Sequence, residues 1–404
     1  MLINQTFQIN SCDDAELGIK RTSKLEYRIS YDNEKEIKAI VFIVGGFGAN
    51  RNISFLDFDR EYIAKNFNVV AVNVFYHCFS HRRSNVEKYS AHTVFAKEDL
   101  PNLSKLLSGF GIDAGNINEN NAHEYYEFLN NYISTLKSQG KLVSNYQAKF
   151  SSTFIPPNGD YQNYGIMAAI DHINALKDLV KRFPEFSNLP KIYGGGSYGG
   201  YLSLLIAKIA PWYVDGVIDN SATVLPMLEC IIGRDLNKSE FVFNDPNTLI
   251  KMFIKTYWTR KDAYSPYFFA NENYMIRTLL NSYHLMIQAR INKNIILVSY
   301  HSLKDEFNTA KDKQTLFSAY KELGYDATLH LIRDENQIDG RFIKDLKHGM
   351  RITDKALFKK ELPLMLEKLK GRNSFMQANS ISYPCGDKIF VFKDNEQNRF
   401  ALYC

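Results

Sequence analysis

The segment KIYGGGSYGGYLSLL, residues 191–205, sets a serine among glycines, and two different chemistries use such a pattern. Read as Gly195-x-Ser197-x-Gly199, it is a sharp strand-to-helix turn that presents a nucleophilic hydroxyl. Read as Gly194-x-Gly196-x-x-Gly199, it is a loop that packs a pyrophosphate against a helix N-terminus. Asp219, about 20 residues further on, would then be the ribose-binding acid.

Position in the chain separates the two. A dinucleotide loop belongs on the first strand of its domain, whereas this segment follows two apolar strand-like runs. The nucleophile reading also makes demands that the rest of the chain meets. A serine hydroxyl is a weak nucleophile until a histidine takes its proton, and a carboxylate must fix that histidine's tautomer. In the order Ser, Asp, His, Asp305 follows the run IILVSYHS, and His348 lies in LKHGM beyond the run ATLHLI. Asp334, Asp339 and Glu306 compete with Asp305 for the acid; His330 competes with His348 but falls inside a strand pattern. The oxyanion of a tetrahedral intermediate needs N–H donors. Tyr198, directly after the serine, supplies one, and Gly45-Gly46-Phe47-Gly48 after an early strand aims Phe47 as the other. Gly195, Gly199 and Gly46 give the clearance these turns require.

Other residues raise weaker possibilities. In YHCFSH, residues 76–81, His77, Cys78 and His81 are of metal-ligand type, but no companion cluster completes a tetrahedral site, so no metal is expected. His77 instead falls at the end of a strand near the pocket mouth. Asp219, Asn220 and Ser221 end another strand at the same edge, where they line a pocket or simply turn the chain.

These residues need a scaffold that brings strand ends together. KLEYRISYD (24–32) alternates, and IKAIVFIVGG (37–46) and NVVAVNVFY (68–76) are continuous apolar runs on either side of an amphipathic stretch, 55–67. Runs of that kind suit strands covered on both faces, and strand–helix–strand spacing implies a mostly parallel sheet. Helical periodicity over 164–183, strands at 190–196, 213–222 and 292–300, a helix at 311–324, a strand at 326–332 and a helix at 354–370 continue the rhythm. Two stretches break it. Residues 80–159 read as an insertion or lid with one clear helix, 122–140, and no sheet element; residues 223–290 read as a second insertion or cap with helical pieces such as LIKMFIKTYW. The expected core is therefore discontinuous, 1–79, 160–222 and 291–370, and a C-terminal hairpin occupies 371–404. The fold class is α/β.

Composition narrows the function classes. The 404 residues, 45% hydrophobic and 23% charged, suffice for a large core. The net charge of +5 is spread without a basic stripe, which argues against nucleic acid. Five scattered cysteines without CxxC spacing argue against a disulfide framework and suit a reducing compartment. Neither a signal peptide pattern nor 18 continuous apolar residues is visible, so a cytoplasmic protein without a membrane span is expected.

The segments IVGGFG, GGGSYGG, SYHSLKDEF and LKHGM resemble those of α/β-hydrolases, over roughly 37–79, 164–222 and 292–370, and the Gly-Gly-Ser-Tyr-Gly-Gly form resembles the prolyl-oligopeptidase-like branch. The chain departs from that branch in having Gly45-Gly46 for the usual His-Gly, no preceding propeller, and a long acid-to-histidine spacing. The whole chain also resembles a bacterial α/β-hydrolase-like family of unknown function, some members of which are associated with flagellar glycosylation and motility. The resemblance implies a hydrolase core with two insertions as a lid, a Ser197–His348–Asp305 triad and no cofactor. A small-molecule or glycan ester is the first choice of substrate, a peptide the second. A non-catalytic module that binds a glycan or a protein is the third reading.

Overall fold

In the computed structural model, residues 1–48, 52–372 and 378–404 are described. Residues 49–51, just past the Gly45–Gly48 loop, and 373–377 of the C-terminal extension lie outside them. In chain order the elements are β1 (Leu2–Asn10), β2 (Lys24–Asp32), β3 (Ile40–Ile43), α1 (Ser54–Phe67), β4 (Val70–Phe75), β5 (His92–Val94), α2 (Leu100–Gly109), α3 (Ala122–Ser138), β6 (Ala148–Ile155), α4 (Ile166–Arg182), β7 (Lys191–Gly196), α5 (Tyr198–Ile209) and β8 (Gly216–Asn220). They continue with α6 (Glu229–Ile232), β9 (Phe241–Asn244), β10 (Thr248–Ile254), α7 (Asn271–Arg277), α8 (Ser282–Ile291), β11 (Ile296–Ser302), α9 (Ala310–Glu322), β12 (Asp326–Ile332), α10 (Asp354–Leu369), β13 (Ser380–Cys385), β14 (Lys388–Asp394) and β15 (Phe400–Tyr403).

Two compact units share the chain. The first comprises Met1–Phe79, Asn163–Met227 and Phe269–Cys404. Its eight-stranded sheet runs β1-β2-β4-β3-β7-β8-β11-β12. The pairs β1–β2 and β2–β4 are antiparallel, and every later pair is parallel. Successive side chains on a strand face opposite sides, and β3 shows this directly. Phe42 stacks on Tyr193 and meets His172 of α4. Val41 and Ile43 instead join a core with Ile63 of α1 and Leu357 and Phe358 of α10. Helices thus cover both faces, which is why these strands read as unbroken apolar runs. Helix α5 is buried along its whole length, so it is apolar on nearly every side. In register, Gly196 of β7 pairs with Asn220 of β8, and Asn220 with Tyr300 of β11. The loops leaving β7, β8 and β11 therefore emerge side by side. At the chain end, β14 and β15 form the expected hairpin, and β13 adds a third antiparallel strand.

The second unit comprises Ser80–Gln162 and Leu228–Phe268. It has its own sheet, β5-β6-β10-β9, and a core of Leu103, Leu107, Leu129, Ile133, Phe150 and Ile250 among others. Two local expectations are corrected here. LIKMFIKTYW is not helical: its first six residues belong to β10, flanked by parallel β6 and antiparallel β9. Its apolar spacing imitates a helix, but its branched Ile250 and Ile254 suit a strand with partners on both edges. The first insertion, read without a sheet element, contains β6. Its polar residues Ser151 and Thr153 hid it, and they are there because the buried Asp99 carboxylate accepts their hydroxyls and pairs with Arg234 at 2.7 Å.

Candidate active site

At the end of β7 the chain turns into α5 through Ser197 alone, at φ 55° and ψ −120°. That is a sparsely populated conformation for a residue with a side chain, costing on the order of 1–3 kcal/mol. Close packing imposes it. A Cβ on Gly195 would lie 2.2 Å from the Val44 carbonyl oxygen, and one on Gly199 would lie 2.1 Å from the same atom. Both glycines of the motif are therefore required by one backbone carbonyl. The Ser197 N–H donates to the Asn220 carbonyl (2.7 Å), and the Gly196 N–H to Asp354 Oδ1 (2.9 Å). Burial pushes the Asp354 carboxyl up to about 6, with neighbouring Asp59 adding to the rise and the Gly196 N–H opposing it.

His348 Nε2 lies 2.8 Å from Ser197 Oγ, and its Nδ1 lies 2.9 and 3.0 Å from the two oxygens of Asp305. With the carboxylate accepting from Nδ1–H, Nε2 is left to accept the serine proton. The Asp305 side chain is fully buried, yet its carboxyl sits below the usual aspartate range. Burial alone would raise it; the bonds from His348 and from the Asn308 and Phe307 amides outweigh that. Those two amides reach Oδ1 at 3.0 and 2.9 Å.

The competing residues occupy other places. Glu306 accepts the backbone N–H of His348 at 2.9 Å, so it braces the histidine's backbone and not its ring. Asp334 caps the turn at Asn336, and Asp339 accepts three successive amides of its own loop. His330 stacks on Tyr300 within the sheet, 4.5 Å between centroids. Ser197, His348 and Asp305 are brought together from three loops; Asp334, Asp339 and His330 are not.

The Gly45–Gly48 loop lies against the elbow. Tyr76 Oη donates to the Gly45 carbonyl (2.9 Å), and a Cβ on Gly46 would stand 3.5 Å from the Gly196 carbonyl. The Phe47 and Tyr198 rings meet edge-on at 5.5 Å. Tyr198 opens α5, where a backbone N–H has no acceptor within its own helix.

The pocket-lining expectation for Asp219 is corrected. Its side chain is fully buried in an ion pair with Lys313 of α9, 3.1 Å from each oxygen, and burial pulls that lysine's proton affinity down despite the partner. A lone charge there would be costly, so the pair is internal structure. Asn220 is also buried, and it is a clamp: Nδ2 donates to the Gly349 carbonyl at 2.9 Å, beside His348. Ser221 Oγ accepts the Gly349 N–H at 3.1 Å. His77 is buried, its N–H bonded to Asp171 (2.8 Å), which Arg21 grips with both terminal nitrogens. His81 belongs to the second unit, where burial lowers its pKa to about 3. Among the described residues no group of three or more His, Cys, Asp or Glu is placed to hold a metal ion.

The sequence left unseen the clamps from Glu306, Asn220 and Asp354, and Asn308, whose side chain donates to the Ser221 carbonyl at 2.9 Å. Only Asp354 carried a signal, as the acid just after the Thr353 N-cap of α10.

The family model described as "Protein of unknown function (DUF2920)" matches residues 5–403. The chain belongs to the DUF2920 family. No curated protein sequence matches it. Solved structures similar to this DUF2920 chain include an acylaminoacyl peptidase from Pyrococcus horikoshii, at 13% identity and TM-score 0.44, covering 93% of this chain and 43% of that one. A puromycin hydrolase mutant matches at 12% identity and TM-score 0.48, over 91% and 39% of the respective chains. Esterase 2 of Thermogutta terrifontis, phosphonylated by cyclosarin, matches at 12% and 0.40, over 87% and 90%. The DUF2920 chain thus spans less than half the length of the first two. The fold, read from the strands themselves, is mixed α/β with a mostly parallel eight-stranded sheet. No helix of the described residues is long and apolar enough to cross a membrane.

Proposed function

We propose that this chain is a serine hydrolase that cleaves a small acyl or sugar ester through an acyl-enzyme. The observation that carries the reading is the unbroken hydrogen-bond chain from Ser197 Oγ through His348 to buried Asp305, at 2.8 and 2.9 Å. In this reading Ser197 Oγ attacks the ester carbonyl carbon as His348 Nε2 takes its proton, and the Asp305 carboxylate stabilises the imidazolium. The Tyr198 and Phe47 amides bind the oxyanion. His348 then returns the proton to the departing alcohol, and water, deprotonated by the same imidazole, releases the acid. No cofactor is required.

A peptide amide is the second substrate reading, favoured by the Gly-Gly-Ser-Tyr-Gly-Gly form of the elbow. A folded, non-catalytic module that binds a glycan or a protein and is tied to flagellar modification is the third, resting on whole-chain resemblance alone. A fluorophosphonate probe separates them. Wild type is expected to label and Ser197→Ala to remain unlabelled; folded wild type that never labels would refute the hydrolase. Relative turnover of short acyl esters and matched anilides then divides esterase from peptidase.

A further inference from the structure

Phe307 stands out among the exposed aromatic residues. It is 62% exposed, and its ring sits perpendicular to the His348 imidazole, 5.1 Å between centroids. A single exposed apolar side chain ordinarily needs no explanation. Two features set this one apart. Its backbone is pinned, because its N–H donates to Asp305 Oδ1 at 2.9 Å and the following Asn308 amide reaches the same oxygen. The loop's other turns are fixed as well, with Asp305 N–H bonded to the Ser302 carbonyl (3.3 Å) and Lys304 N–H to Ser302 Oγ (3.1 Å). A large apolar surface is thus held in water at a fixed distance from the base.

We infer that Phe307, with its 44%-exposed loop neighbour Leu303, binds the leaving-group side of the substrate and selects esters of apolar alcohols. The inference rests on the serine-hydrolase reading above. When the tetrahedral intermediate collapses, the ester C–O bond breaks, Ser197 Oγ stays bonded to the carbonyl carbon, and the alcohol oxygen takes the proton from His348 Nε2. That oxygen must come within hydrogen-bond reach of Nε2, about 3 Å. Its first carbons therefore lie beside the imidazole, the ring that Phe307 meets edge-on. The acyl group, held on the carbonyl carbon, has no such obligation to the histidine. Apolar contact with Phe307 accordingly discriminates alcohols and leaves acyl chains alone.

The test compares two series within each protein: ethyl, butyl and hexyl acetate, whose alcohols differ in apolar length at nearly constant acidity, and ethyl acetate, butanoate and hexanoate. The readout is the ratio of kcat/KM between the longest and shortest member, which cancels any general effect on the triad. Wild type is expected to prefer hexyl over ethyl acetate by about tenfold or more. Phe307→Ala should bring that ratio to within about threefold of unity, mainly through KM, and Phe307→Leu should retain most of it. The acyl ratio should be unchanged in both. An alcohol ratio that survives Phe307→Ala overturns the assignment, as does an equal fall in both ratios, or a probe-labelled wild type that turns over no alkyl acetate. Wild type that does not label refutes instead the hydrolase reading beneath it. Because the ring is mostly exposed, both variants should fold, with unchanged circular dichroism.

Discussion

The turn that carries Ser197 and the turn that carries His348 both depart from ordinary backbone conformation, yet they are held by opposite means. At Ser197 the only residue out of place is the serine, and what forces it is the absence of side chains, two glycines pressed on the Val44 carbonyl, with a single side-chain clamp from Asp354 on the Gly196 N–H. At His348 the next three residues, Gly349, Met350 and Arg351, all have positive φ, at 73°, 50° and 53°. That loop is fixed by side chains reaching in from elsewhere: Glu306 on the His348 amide, and Asn220 and Ser221 on the two polar groups of Gly349. Met350 anchors it from below as a fully buried core residue. One turn is built by steric exclusion and tolerates nothing added. The other is built by polar contacts and tolerates nothing taken away.

That contrast can be broken at several strengths. His348→Ala should lower kcat by roughly 10⁵- to 10⁶-fold; it leaves both sets of turn supports in place, but the buried Asp305 carboxylate loses its partner, for about 1–3 kcal/mol in denaturant unfolding. Asp305→Asn, which leaves Nδ1 without its carboxylate, should cost about 10⁴-fold in kcat. Gly199→Ala attacks the elbow by addition. Since a Cβ 2.1 Å from a carbonyl oxygen forces backbone apart, urea unfolding should show a loss of about 3 kcal/mol or an insoluble chain. Asn220→Ala attacks the histidine turn by subtraction. It strands the Gly349 carbonyl, for about 1–3 kcal/mol of stability and up to about 10²-fold in kcat. A protein in which Gly199→Ala is mild and Asn220→Ala abolishes folding would reverse the comparison.

The smallest effect is a pH signature. The Asp305 carboxyl is held below its usual range in the folded protein, so its contribution to stability is complete above the unfolded value of about 3.9. It is lost as pH falls through the lower folded value. The stability gap between wild type and Asp305→Asn should therefore be level from pH 8 to 5 and shrink below about pH 4, as read by urea titration at each pH.

The same contrast explains what the sequence could disclose. Exclusion leaves a local trace: glycines at fixed offsets around Ser197 and in Gly45–Gly48 stand next to the residues they serve. The parallel strands were legible for a related reason, since burial on both faces demands unbroken apolar runs. Polar clamping leaves no such trace. Asn220, Glu306 and Asn308 act across long sequence separations, and nothing near them says which amide or carbonyl they meet. Asp305 and His348 were accessible only through their order along the chain. The second unit hid β6 for this reason too, because Ser151 and Thr153 serve Asp99, a residue distant in sequence.

The division of the chain between the units also sets an order of events during synthesis. The unit formed by Ser80–Gln162 and Leu228–Phe268 has all its residues once Phe268 has been made, when the site-bearing unit still lacks β11, β12 and α10. At ordinary translation speeds the stretch from Phe268 to His348 takes on the order of ten seconds. Until then Ser197 exists without its proposed base, since Asp305 and His348 both lie beyond Phe268. On the proposed mechanism, a ribosome stalled in that window displays a serine with no means of activating it, and reactivity waits for the loops that follow β11 and β12.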